Sequence, residues 1–96
     1  MTDEASQDAA TRIADTGRQV VAAAETLADL AVLETTLLGK KSELSLARRS
    51  LGSMEPDQRK EAGAAFNATR EALGDAIEAR RAELADAELR ATLDAE

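Results

Sequence analysis

Ninety-six residues with one Phe, no Trp and no Tyr suit a single domain of thin helix-on-helix packing; a thick core needs larger apolar side chains. Cys and His are both absent, which excludes disulfides, thiol nucleophiles, imidazole bases and ordinary zinc sites. The formal charge of −7 is segregated: residues 40–60 hold Lys40, Lys41, Arg48, Arg49, Arg59 and Lys60 against Glu43, Glu55 and Asp57, while both flanks are acidic.

Residues 1–25 predict a first, shorter helix. Asp3 can cap it, Glu4 suits its first turn, and Ala9, Ile13, Val20 and Val21 form a weak apolar stripe. Gly17 among small residues makes this the segment most prone to fray. Met1-Thr2-Asp3-Glu4 lacks the basic and apolar regions of a signal peptide, and no apolar run approaches the roughly 20 residues that span a bilayer. A soluble, cytoplasmic protein that does not enter a membrane is expected.

A turn is expected at Ala24–Thr26, with Thr26 capping the next helix and Asp29 three residues on. Leu30, Leu37, Leu44 and Leu51 then recur every seven residues, the mark of a helix laying one seam on a partner. The phase is the same on both sides of Gly39. One continuous helix to about Gly52 is therefore expected, tolerating that glycine at a cost of roughly 1 kcal/mol relative to alanine.

Gly52-Ser53-Met54-Glu55-Pro56-Asp57 is the strong break, with glycine after one helix and proline opening the next. The third helix is expected from about Pro56 to the end, with Phe66, Leu73, Ile77, Leu84, Leu89 and Leu93 on its apolar side and Thr69 among them. Folding the chain at residue 55 sets Leu44 against Phe66, Leu37 against Leu73, Leu33 against Ile77 and Leu27 against Leu84. The expected fold is all-α: an antiparallel helical hairpin of coiled-coil type over residues 26–96, with a shorter N-terminal helix. Leu89 and Leu93 outrun the second helix, so they need either the first helix, where Ile13 and Val20 are the available partners, or something outside this chain. The same fold carries Arg48, Arg49, Arg59 and Lys60 to the tip, with Lys40 and Lys41 further down the arm and the acids toward the base.

These residues also resemble a known family. Leu38-Gly39-Lys40-Lys41-Ser42-Glu43-Leu44 is similar to the LGKKGxL motif of the bacterial phenylalanyl-tRNA synthetase alpha subunit. Leu51-Gly52-Ser53-Met54-Glu55-Pro56-Asp57-Gln58-Arg59 resembles that family's LG-x-L-x-PEER turn, and Ala62-Gly63-Ala64-Ala65-Phe66-Asn67 its xGxxIN step. Arg80-Arg81-Ala82-Glu83-Leu84 and the run from Ala87 to Glu96 look like its Glu/Arg/Leu-rich tail. Ser42 stands where the family has a second glycine, and Phe66 where it has a branched aliphatic residue.

The resemblance covers about residues 26–96 and implies the N-terminal, tRNA-contacting arm of an (αβ)2 enzyme that joins phenylalanine to its tRNA with ATP and magnesium. It implies a beta-subunit partner and a catalytic domain outside this stretch. Ending inside a helix at Glu96, the chain is expected to be a fragment without cofactors of its own.

No paired acids, phosphate-cradling glycine loop or metal-spaced cluster stands out, so no catalysis is expected from these residues. Gly39-Lys40-Lys41-Ser42 lacks the upstream glycine and strand of a P-loop. Candidate contacts to tRNA phosphates are Lys40, Lys41, Arg48, Arg49, Arg59 and Lys60. For Lys40 and Lys41 a structural role, pairing with acids of the third helix, stands equally open. The alternative function is a non-enzymatic hairpin docking on a protein; the turn, Ser50-Leu51-Gly52, lacks the Trp-x-Gly of the WxG hairpins.

Overall fold

The computed structural model describes residues 2–95, with side chains from Ala9 to Asp94. Four α-helices follow in order: α1 (Thr2–Ala23), α2 (Leu27–Leu38), α3 (Glu43–Arg49) and α4 (Pro56–Ala95), with a 3-10 turn at Ser50–Ser53 between α3 and α4. Among the described residues there is no strand. The molecule measures 61 × 19 × 15 Å. A forty-residue helix rises about 60 Å, so α4 alone spans the long axis.

The antiparallel hairpin is present. Leu44, Phe66 and Leu73 share one buried cluster, on which Leu37 packs; Leu30, Ile77 and Leu84 share a second, with Leu27 and Leu33 against it. Each residue pair expected from folding at residue 55 thus falls in one cluster. Pro56 opens α4, and the Arg59 amide donates to the Glu55 carbonyl at 2.8 Å.

The second helix is not continuous. It stops at Leu38 and restarts at Glu43. Ser42, expected inside a helix, is extended (φ −66°, ψ 157°), and its Oγ accepts the Ser45 amide at 3.1 Å. The Ser45 hydroxyl donates back to the Gly39 carbonyl at 2.8 Å, and the Ser42 amide donates to the same oxygen at 3.1 Å. Ser42 and Ser45 offer the backbone a local alternative to helical bonds, and Ser42 takes it as an N-cap. A Cβ at Gly39 would overlap the Thr35 carbonyl oxygen, so the exit from α2 suits glycine. The leucine ladder survives because Leu30 and Leu44 stay buried on either side of the turn.

The first helix is integral to the fold. Ala10, Ile13, Ala14, Gly17, Val21 and Ala24, three and four residues apart, form a buried stripe. Gly17 is what lets α1 approach: a Cβ there would overlap Leu73 Cδ2, and Leu73 is fully buried. The Thr69 hydroxyl lies 3.1 Å from both the Ala10 and the Ala65 carbonyl oxygens. Arg80 donates from Nε and Nη2 to the Ala24 carbonyl at 3.1 and 2.7 Å, satisfying an orphan acceptor just past the α1 C-terminus. These two contacts, 59 and 56 residues apart in sequence, set α1 parallel to α4.

Two further expectations are corrected. Helix α1 already begins at Thr2, so Asp3 lies inside it and not at its cap. The acids expected toward the base include Asp3, Glu4 and Asp8, whose side chains lie outside the described residues. Finally, α1 does not reach Leu89 or Leu93: Ile13 is buried in the cluster with Leu73, and Leu89 and Leu93 remain 58% and 61% exposed. They also point away from the seam. With about 100° per residue, they sit roughly 140–180° round α4 from Leu84.

Candidate nucleic-acid interface

The tip is built by a sequence of small local bonds. Arg48 and Arg49 occupy the last turn of α3, where the carbonyl end of the helix favours cations. The Ser50 hydroxyl then donates to the Ala47 carbonyl at 2.6 Å, the Ser53 hydroxyl to the Ser50 carbonyl at 2.9 Å, and the Met54 amide to the Leu51 carbonyl at 3.1 Å. Leu51 and Met54 pack on the upper cluster and anchor the turn. Arg59, one turn into α4, folds back to donate from Nη2 to the Met54 carbonyl at 3.2 Å. Lys60 is exposed beside it.

Arg48, Arg49, Arg59 and Lys60 therefore flank one turn, as the sequence suggested. Lys40 and Lys41 stand apart from them, in the turn between α2 and α3. By the hairpin register they lie near residue 70 of α4, roughly 20 Å from the tip along the axis. Both are exposed. The α2–α3 break thus displays these lysines on a turn, where a continuous helix would have laid them along its side.

Charge pairing divides the basic residues into two sets. Arg12 meets Glu43 at 2.8 Å, Arg18 meets Asp15 at 3.8 Å, Arg80 meets Glu83 at 3.0 Å and Arg90 meets Asp86 at 3.1 Å. Arg81 joins Glu34 of α2 at 2.6 Å and also contacts Glu78. The hydrogen bond to Glu34, followed by the charge of Glu78, raises the Arg81 pKa above its ordinary value. By contrast, none of Lys40, Lys41, Arg48, Arg49, Arg59 and Lys60 forms an ion pair among the described residues.

Arg80 and Arg81, which the sequence offers only as part of the family-like tail, fasten α1 and α2 to α4. The signal was weak: two adjacent arginines near a helix end look like any solvated pair.

Exposed cations without an ion pair among the described residues suit the backbone of a polyanion, whose phosphates need charge and not shape. Phe66, the single aromatic side chain, is buried, so this surface lacks a base-stacking platform. Among the described residues no group of three or more acidic side chains is placed to hold a metal ion, and no helix is long and apolar enough to cross a membrane.

Comparison with known proteins agrees with this architecture. Residues 25–93 match the family described as the aminoacyl tRNA synthetase class II, N-terminal domain. The chain is 41% identical over 80 residues to the phenylalanine–tRNA ligase alpha subunit of Nostoc sp. (strain PCC 7120), covering 83% of this chain and 24% of that protein. It is 46% identical over 81 residues to the alpha subunit of Rhodopseudomonas palustris (strain TIE-1), covering 81% and 22%. For the alpha subunit of Roseobacter denitrificans the identity is 42% over 73 residues, covering 76% and 20%. The chain thus spans between a fifth and a quarter of the length of these curated relatives. A match over most of its helices, with the α2–α3 turn and the tip both inside it, places the chain in the family of class II aminoacyl-tRNA synthetase N-terminal domains.

Proposed function

We propose that this chain is the tRNA-contacting arm of a phenylalanine–tRNA ligase alpha subunit. The observation that carries this reading is the set of six exposed cations, all without a carboxylate partner among the described residues. Arg48, Arg49, Arg59 and Lys60 at the tip, with Lys40 and Lys41 down the arm, would contact phosphates of a phenylalanine tRNA. Such contacts give affinity and register without reading bases. Residues 26–96 form the arm, with its turn near 52–57, and residues 1–25 the helix and connection that brace it.

In the complete enzyme the arm belongs to an alpha subunit paired with a beta subunit in a cytoplasmic (αβ)2 tetramer, and the catalytic domain lies outside this stretch. Among the described residues no grouped carboxylate site is placed to hold the magnesium of that reaction, and the sequence has no phosphate-cradling loop for its ATP. The arm's contribution is binding and orientation of the tRNA.

The test is salt-titrated binding of the 96-residue chain to a phenylalanine tRNA transcript. The variant Arg48→Gln/Arg49→Gln/Arg59→Gln/Lys60→Gln should bind more weakly, and its log–log salt slope should flatten by about 3. Equal affinity and equal slope for variant and parent would refute the assignment.

A further inference from the structure

We infer that the tRNA-facing surface does not end at the tip but continues down one side of α4, along Arg59, Gly63, Asn67, Arg70 and Gly74, as a track for the same phosphate backbone. The inference rests on the arm reading above and extends it to residues that reading did not include.

Three observations carry it. Arg70 is exposed and, alone among the arginines and lysines outside residues 40–60, has no ion pair among the described residues. It is also in line with the tip. Arg59, Arg70 and Arg81 recur every eleven residues, about three helical turns plus 20°, so they share one face of α4. Arg59 and Arg70 stand roughly 16 Å apart along it. Arg81 is held by Glu34 and Glu78, which closes the track at that end.

The second observation is the groove itself. Leu38, Asn67, Arg70 and Gly74 line a shallow depression where α4 meets the end of α2, beside the Gly39–Ser42 turn that carries Lys40 and Lys41. Glu71 and Asp75 line it too, so within the depression Arg70 is the one side chain whose charge attracts a phosphate.

The third is a pair of glycines with no packing reason to be there. Gly63 and Gly74 each follow an arginine by four residues and lie on the same face. A Cβ at Gly74 would meet nothing within 4 Å, and one at Gly63 would meet only Leu51 Cδ1 at 3.9 Å. The helix would be better served by alanine at both positions. Bare backbone beside a guanidinium that has no ion pair among the described residues leaves room for a bulky ligand chain to lie close against α4.

The test uses the 96-residue chain and the phenylalanine tRNA transcript, with Arg70→Gln, Gly74→Leu and, as a control, Arg90→Gln. Arg70→Gln should weaken binding about two- to fivefold at low salt and reduce the salt slope by about 1. The Cβ of Gly74→Leu meets nothing within 4 Å, and the rest of the side chain fills the depression, so thermal unfolding should occur at the same or a higher temperature while tRNA binding falls. Arg90→Gln should bind like the parent. If Arg70→Gln and Gly74→Leu both bind like the parent while the tip variant loses affinity, the lateral track is wrong and the arm reading stands. If the parent chain itself does not bind the transcript, both fall.

Discussion

Two glycines of this chain should respond in opposite directions to the same substitution. Within a helix, alanine is favoured over glycine by about 1 kcal/mol. At Gly74 nothing opposes that gain, because the added methyl meets no atom within 4 Å. For a domain of this size about 1 kcal/mol moves the unfolding midpoint by roughly 4–8 °C, so Gly74→Ala should raise it by that amount. At Gly17 the same methyl would overlap Leu73 Cδ2, and Leu73 is fully buried against Phe66 and Ile13. Overpacking of this kind costs about 1–3 kcal/mol. The net for Gly17→Ala is therefore a loss of up to about 2 kcal/mol, seen as a midpoint lowered by up to about 16 °C. Thermal unfolding followed by circular dichroism reads both. The double variant Gly17→Ala/Leu73→Ala should cost less than the two single losses added together, because the truncated leucine makes room for the new methyl. Should Gly17→Ala stabilise the chain as much as Gly74→Ala does, the close approach of α1 to α4 is not what the structure describes.

The remaining expectations concern the caps and charges. Ser42→Ala removes the hydroxyl that caps α3, and Thr26→Ala the one that accepts the Asp29 amide at 3.0 Å; each should cost about 1 kcal/mol in denaturant unfolding. The Ser42 change should also loosen the Lys40–Lys41 turn, seen as faster amide exchange at Ser45. Arg81 has its pKa raised in the fold, so its contribution to stability is complete below the unfolded-state value and declines only as pH rises through the folded one. The destabilisation by Arg81→Gln should accordingly be equal at pH 7 and pH 9; a penalty that shrinks between them would contradict the Glu34 and Glu78 partnership.

The hairpin could be read from the sequence because it rests on two strong local signals. Pro56 after Gly52 marks a turn, and leucines at equal distances from it can meet only if the chain folds there. The break at Gly39–Ser42 was hidden for the opposite reason. A seven-residue ladder measures which side chains face the seam, and a capped turn that keeps Leu30 and Leu44 buried leaves the ladder intact. What betrayed the turn was Ser42 three residues before Ser45, a pair whose hydroxyls can replace helical bonds. The course of α1 was harder to see, because its contact surface is alanine and glycine, and small residues carry almost no hydrophobic signal. The candidate cations were visible as a run of charge. Their lack of ion pairs among the described residues was not, since pairing depends on which acids the fold brings near, as Glu34 to Arg81 shows.

Beyond Leu84 the long helix travels alone, and every side chain described there is exposed. Adding or removing one residue in this solitary stretch would disturb no core contact, so folding would scarcely register the edit. It would nonetheless swing Leu89 and Leu93 by about 100° around the rod while shifting them only about 1.5 Å along it. Azimuth, and not distance, is the quantity this segment controls: it acts as a dial whose setting is counted in single residues.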